Sequence, residues 1–354
     1  MLVYACTLDI VGKSRYNSIM NIFIYSKSIK PNGIKVIIDN VIKACKRKGI
    51  NCSHISSIEN CKKNDIVLSY GVLESYENIK KGGRSQFSLL VDAVTLGYLN
   101  KIKFYLKVGN IFNYDFFYSI YAYFKFRPME KYVCQNYEKI VLVSATDIEY
   151  LSKSFSVPRE KFLCVPNGAY LPESIVIRHK KDAKIRLGLL ASWGAKQTYQ
   201  ESAWFVNKYF SRYSLTHPDV ELVLAGRGPF INKLRGIPNV KIIGEVPNLK
   251  DFFGSIDAFL AVNPKGCGML NRVLDAFAHR VPLVALNSAM TGFRDSENLY
   301  IPFSDYKSFE QAINSVVTND KDNEEMVTKA YEYILKNNNW ECNYNELVDY
   351  ILSE

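Results

Sequence analysis

The sequence predicts an α/β protein of two domains, each a parallel β-sheet with helices on both faces, and three observations carry that expectation. At 354 residues the chain exceeds the length, roughly 250 to 300, at which one hydrophobic core stops growing. Short apolar runs alternate with amphipathic stretches through both halves, which is the βα alternation of a parallel sheet. A polar, weakly patterned stretch at 171–184 separates the two series and reads as a linker.

Residues 1–19 lack a long apolar core between a basic start and a small-residue cleavage site, so they read as an N-terminal appendage rather than a signal peptide. Met20–Tyr25 reads as a buried strand and Ser26–Gly33 as a loop. Ile34–Lys48 follows as a helix with Ile34, Ile37, Ile38, Val41 and Ile42 on one face, ended by Gly49. Asn32 and Gly33 lie after the first strand, where open α/β sheets bind ligands, and equally suit a plain turn. Strands are expected at Asp65–Ser69, Leu89–Val94, Ile140–Ser144 and Phe162–Val165, giving an N-terminal domain over 20–170.

The alternation restarts after the linker, with strands at Lys184–Leu190, Val220–Ala225, Val240–Ile243, Ala258–Val262 and Leu283–Leu286. Helices are expected near Ser202–Tyr213, Pro229–Leu234, Leu249–Phe253, Met269–His279 and Ser308–Val317. This C-terminal domain covers 185–336, and 337–354 reads as a closing helix after Trp340.

Hydrophobic residues make up 48% and charged residues 23%, as in soluble globular proteins. No apolar run approaches the ~20 residues of a membrane span. Eight cysteines without a CxxC pair point to reduced thiols in the cytoplasm. The net charge of +10 is uneven: up to Glu173 there are 24 Lys and Arg against 14 Asp and Glu, and beyond it 21 against 21. Within the basic half, Phe104–Pro128 interleaves more than ten aromatics with Lys107, Lys125 and Arg127, just after Lys103. Rings with flanking cations suit a membrane interface, and the same stretch also suits an aromatic core helix with solvated lysines. No nucleic-acid module accompanies the charge, so nucleic acid is not an expected partner.

The most informative stretch is Ala261–Ala285, in which a strand breaks at Asn263-Pro264-Lys265, passes Gly266, Cys267 and Gly268, and enters a helix. Glycines at a helix mouth let backbone N–H groups approach an anion, and the helix dipole adds partial positive charge. Arg272 lies one turn inside, able to fork onto phosphate oxygens, with Asp275 three residues on as an acceptor for sugar hydroxyls. From spacing alone the stretch fits either a phosphate cradle or an ordinary βα turn.

Four ordered motifs resemble the two-domain nucleotide-sugar glycosyltransferases of GT-B architecture, family 4. They are LVSATDIEYLSKSFSVPREKFLCVPNG (Leu142–Gly168), VELVLAGRGP (Val220–Pro229), VKIIGEV within Val240–Pro264, and GCGMLNRVLDAFAHRVPLVA, followed by its Pro and strand. The last is similar to the family's variant donor motif G-x-G-x-x-x-K-x-L-E-A, with Arg272 at the Lys position and Asp275 at the Glu position. The commoner E-x7-E pair would fall on Cys267 and Asp275, so its first glutamate is absent. The family's basic pair after the strand at Lys184–Leu190 is missing too; LLASWGAKQ offers only Lys196.

The resemblance implies an α/β fold of two Rossmann-like domains with parallel sheets facing across a cleft. It implies a glycosyltransferase of hexosyltransferase type, using a nucleotide-diphosphate sugar, retaining anomeric configuration, and needing no metal or other cofactor. Arg272, Asp275 and Asp92 are the expected catalytic residues. Gly33, Lys196, Arg227, Glu245, Val246, Gly266, Cys267, Gly268 and Asn271 are expected to bind the donor, with Glu245 and Val246 at the base. Asp92, in LLVDAVT, is expected to reach the reacting sugar or acceptor, with capping of the next helix as the rival reading. His279, at a helix C-terminus, is expected to favour the cation. Asp320-Lys321-Asp322 reads as helix capping rather than a metal motif.

A glycan or lipid-linked acceptor, a cytoplasmic location with peripheral contact to the anionic inner membrane face, and a role in bacterial surface polysaccharide assembly are the expected setting. The competing classes are a nucleotide-sugar epimerase of the same fold and a binding module without catalysis. A nicotinamide dehydrogenase is more remote, because SKSIKPNGIK after Tyr25 lacks G-x-G-x-x-G.

Overall fold

A computed structural model describes residues 21–27, 33–59, 61, 62, 64–83, 86–174, 184–264 and 266–353. The appendage at 1–19, Asn32, Lys265 and most of the linker lie outside the described residues. The chain forms two compact units. One holds the described residues up to Leu99, Phe112–Asn167 and those from Asn339 on; the other holds Asn100–Ile111 and the described residues of Gly168–Asn338.

The first unit runs β1 (Asn21–Tyr25), α1 (Gly33–Arg47), β2 (Asn51–Ile55), β3 (Ile66–Tyr70), α2 (Gly71–Lys80), β4 (Phe87–Val91) and α3 (Val94–Lys107), whose second half counts with the other unit. It continues with α4 (Tyr114–Asn136), β5 (Lys139–Leu142), α5 (Ala145–Phe155) and β6 (Phe162–Cys164). Its sheet is parallel, in the order β2-β1-β3-β4-β5-β6. β3 and β4 are apolar apart from the buried Ser69 and Ser88, because both faces are covered. α1 buries Ile37, Ile38, Val41, Ala44 and Cys45, and Gly49, at φ 71°, ends it as the glycine stop predicts.

The second unit runs β7 (Ile185–Leu190), α6 (Lys196–Phe205), which passes through a π turn into α7 (Ser211–Ser214), β8 (Val220–Ala225), β9 (Val240–Gly244) and α8 (Leu249–Gly254). Then come β10 (Ala258–Ala261), α9 (Asn271–Ala278), β11 (Leu283–Leu286), β12 (Ile301–Phe303), α10 (Tyr306–Thr318) and α11 (Asp320–Asn337). The sheet is parallel, in the order β12-β11-β10-β7-β8-β9. A last helix, α12 (Trp340–Ser353), packs on α1 in the first unit. Two six-stranded parallel sheets with helices are the α/β class the sequence predicts.

Four features differ from the sequence reading. β2 and β12 are edge strands without an apolar run, the latter interrupted by Pro302. Phe104–Pro128 is not one helix: α3 ends at Lys107 and α4 starts at Tyr114, capped by Asn113 Oδ1, which accepts from Phe116 N at 2.9 Å. Nor is α4 an aromatic core helix. Its buried residues are Ser119, Ala122, Glu130, Val133 and Cys134, whereas Phe117, Tyr121 and Phe124 are 58%, 59% and 67% exposed. Finally, His279 is buried and stacked on Phe253, and burial lowers its pKa, so desolvation outweighs the helix dipole there. Asp320 and Asp322 fall in the first turn of α11, the place for acidic residues at a helix start.

Candidate functional site

In the second sheet the chain leaves β7 for β8 and β9 on one side, then returns to place β10 on the other. The neighbours β7 and β10 therefore mark the switch point, where loops diverge and open α/β sheets take ligands at their carboxyl edge. The residues singled out in sequence collect there. Gly266–Leu270 leads into α9, whose N-cap residue Leu270 has no polar side chain to cap the helix. Gly266 and Gly268 have φ of 38° and 62°, backbone that favours glycine. A Cβ on Gly266 would also lie 2.4 Å from the Ser288 carbonyl oxygen, so a side chain would displace the loop.

Arg272 projects from α9 to the end of β7, where Nη1 donates to Leu190 O at 2.8 Å. Burial lowers its pKa, opposed by the nearby carboxylates of Glu201 and Asp275. Asp275 is pushed up to about 6 by burial, with Arg272 pulling the other way. Glu201, on α6, is buried and accepts from Gln197 Nε2 at 3.1 Å. This charge cluster could hold a guanidinium at fixed aim and present a carboxylate for hydroxyl recognition. Glu201 went unnoticed in sequence because it lies far from Arg272 along the chain in an unremarked helix.

The loops after β7 and β8 are stitched together. Trp193 N donates to Arg227 O at 2.8 Å, Phe230 N to Trp193 O at 3.1 Å, and the buried Trp193 indole to Ala225 O at 2.7 Å. A Cβ on Gly226 would meet Ala191 O at 1.9 Å, and one on Gly228 would meet Gly194 N at 2.2 Å, so the G-x-G-P turn permits this contact. Arg227 and Glu245 form an exposed pair, Nε to Oε2 at 3.8 Å, with Val246 partly buried against the core. Lys196 begins α6, and Cys267 and Asn271 flank the mouth of α9.

Gly33 and Asp92 belong to the first unit, Gly33 as the first residue of α1. Asp92 follows β4 through a tight turn in which its N–H donates to Leu90 O at 2.9 Å and Val91 adopts φ 71°. Positive φ at a β-branched residue is strained, and such strain persists where the surroundings impose it. Asp92 is not the cap of α3. Ala93 N donates to Asp147 Oδ2 at 2.7 Å, and Val94 N and Thr95 N donate to Glu130 at 2.7 and 3.2 Å. The Thr95 hydroxyl also donates to Glu130. Burial and the charge of Asp147 push Asp92 up to about 7, and burial pushes Glu130 to about 7 against its hydrogen bonds. Asp92 in turn raises Tyr70, after the larger effect of burial.

Among the described residues, no group of three His, Cys, Asp or Glu is placed to hold a metal, and no helix is long and apolar enough to cross a membrane. A cavity of about 540 Å³ lined by Ile185, Asp257 and Asp320 opens at the other edge of the second sheet, where strands begin, away from the ligand-binding edge.

The family described as glycosyl transferases group 1 matches residues 187–319. No curated protein matches the chain by sequence. Among solved structures, it is similar to sucrose-phosphate synthase from Thermosynechococcus elongatus, at 10% identity and TM-score 0.69 over 94% of this chain and 98% of that one. WaaG, a glycosyltransferase involved in lipopolysaccharide biosynthesis, is 12% identical, with TM-score 0.58 over 94% and 100%. HepE of Anabaena, in complex with UDP and glucose, is 12% identical, with TM-score 0.56 over 95% and 100%. The chain thus has the two-sheet GT-B fold of these structures, and residues 187–319, in its second unit, match the glycosyl transferases group 1 family.

Proposed function

We propose that this protein transfers a sugar from a nucleotide-diphosphate sugar to a glycan or lipid-linked acceptor. The observation that carries the reading is the positive-φ glycine turn at the start of α9, beside an Arg272 fastened to the end of β7 at the switch point. As the donor bond breaks, negative charge grows on the leaving diphosphate and positive charge on the anomeric carbon. Amides of Gly266–Gly268 and the Arg272 guanidinium would stabilise that diphosphate, because their positions are fixed before the reaction. Asp275 would accept from ribose hydroxyls, Lys196 and Arg227 would add charge, and Glu245 and Val246 would border the base. Gly33 would add backbone N–H groups, and Asp92 would serve the acceptor side. This scheme assigns no step to a metal, and retention of configuration is the expected stereochemistry.

A bacterial surface polysaccharide is the proposed product, and the inner membrane face the proposed location. Tyr114, Phe117, Tyr118, Tyr121 and Phe124 recur at helical spacing and are all exposed, with Lys125 Nζ 5.7 Å from the Tyr121 ring centre. Aromatic rings with adjoining cations suit the headgroup region of an anionic bilayer. The LPS pathway of WaaG and the bound UDP and glucose of HepE support the same reading.

Incubation with a panel of sugar nucleotides tests the activity. Slow release of nucleoside diphosphate, faster with acceptor, is expected. Sugar interconversion without release would indicate an epimerase, and neither outcome a binding module.

A further inference from the structure

The second unit contains a cavity of about 400 Å³ beside the glycine loop, within the range of about 300 to 1,000 Å³ typical of small-molecule sites. Lys103 and Lys107 line it from α3, together with Trp204, Asn287, Ser288 and Ser304. No Asp or Glu belongs to its lining, and among the described residues neither lysine has a carboxylate partner. Among the described residues the Trp204 indole N–H has no hydrogen-bond partner and is closed off from solvent, so Trp204 contributes its ring to the wall. Asn287 Oδ1 accepts from the Tyr300 hydroxyl at 3.4 Å, which leaves its amide N–H groups as donors. The cavity thus combines two cations without a carboxylate partner, the Asn287 amide and the rings of Phe104, Trp204 and Phe303.

We propose that this cavity binds a phosphate monoester at a site that adjoins the proposed donor diphosphate, with Gly266 of the donor loop in its lining. The lysines and the Asn287 amide match the phosphate oxygens, and the aromatic wall matches the apolar face of a sugar ring. The phosphate can come from a free sugar phosphate or from a lipid headgroup. Occupancy is linked to the donor loop through α3. Asn100, Lys103 and Lys107 share one helical face, and Asn100 Nδ2 donates to Gly266 O at 2.6 Å.

Titration calorimetry on the full chain tests the site, using inorganic phosphate, a hexose phosphate and a water-soluble short-chain phosphatidic acid as probes. The hexose phosphate or the phosphatidic acid is expected to bind, and which of them does identifies the source. Because each charge-assisted contact contributes about 1.5 to 3 kcal/mol, the Lys103→Glu, Lys107→Glu double variant should weaken that binding by about tenfold or more. Trp204→Leu, which removes the aromatic face, should weaken it severalfold. Lys241→Glu, on the opposite edge strand β9, should leave it unchanged, which separates a built site from general charge attraction. Wild-type affinity in the double variant, equal loss in Lys241→Glu, displacement of the probe by UDP, or no binding of any probe would each overturn the proposal.

Discussion

Arg272 Nη1 donates to the main-chain carbonyl of Leu190 at 2.8 Å, which ties the first turn of α9 to the last residue of β7. One hydrogen bond of the guanidinium is spent on holding it, and the remaining donors are left aimed by that anchor.

Replacing Arg272 by Ala removes a charge-assisted contact contributing about 1.5 to 3 kcal/mol in the transition state, which converts to a loss of about tenfold to about 150-fold in kcat. Steady-state kinetics with the best donor from the panel checks it. Lys at this position keeps the charge but loses the fork, so Arg272→Lys should fall between. Near-normal turnover in Arg272→Ala would remove this residue from the chemistry.

Asp275 is held up at about 6 by burial, so it gains a proton as pH falls through that value. The proposed acceptor of the ribose hydroxyls is then lost, and kcat/KM for the donor should decline with a slope of about one below pH ~6. Asp275→Asn should show a flat profile there at a reduced rate. A pH profile in which the variant keeps the wild-type limb assigns the titration elsewhere.

Asp92 is pushed up to about 7, whereas an unfolded chain ionises aspartate near about 4. Between those values the folded state keeps a proton that the unfolded state has lost. Stability therefore falls as pH rises from about 4 to 7, and stays lowered above. Asp92→Asn removes this penalty, and calorimetry should show a Tm raised by about 10 °C at pH ~8 and unchanged near pH ~4, since about 4 kcal/mol separates ionisation near 4 from ionisation near 7 and about 1 kcal/mol moves Tm by about 2 to 4 °C. Transfer activity should drop in the same variant if Asp92 serves the acceptor.

Changing Phe117, Tyr121 and Phe124 together to Ser should leave Tm within about a degree, because these rings are exposed. Burying one such ring contributes about 1.5 to 3 kcal/mol, so partition onto anionic vesicles should fall by about a hundredfold or more. Sedimentation with vesicles reads this directly. Equal sedimentation of variant and wild type would rule the stripe out as the anchor.

Elements with strong local signals were legible in the sequence. α1 showed its apolar face and its glycine stop, and β10, the glycine turn and α9 followed in order because backbone demands and periodicity agree there. Edge strands escaped notice: β2 is Asn-Cys-Ser-His-Ile, and an edge position asks little of its side chains. Contacts made by tertiary approach left no trace either. Nothing in spacing announces that Glu201 faces Arg272, or that Glu130 and Asp147, rather than Asp92, cap α3. The aromatic stretch had the composition of a core and the placement of a surface, and composition alone does not choose between them.

Asn100–Ile111 counts with the second unit although it lies far upstream of the rest of it. Its Phe104 ring stands edge-on to Trp204, centres 5.4 Å apart, and its Tyr105 hydroxyl donates to Gln200 Oε1 at 2.9 Å. A recombinant fragment cut at the linker would leave that wall behind and expose the indole it covers. Gene fusions, split reporters or shuffled hybrids that exchange the C-terminal half of this protein must therefore carry the upstream helix with it.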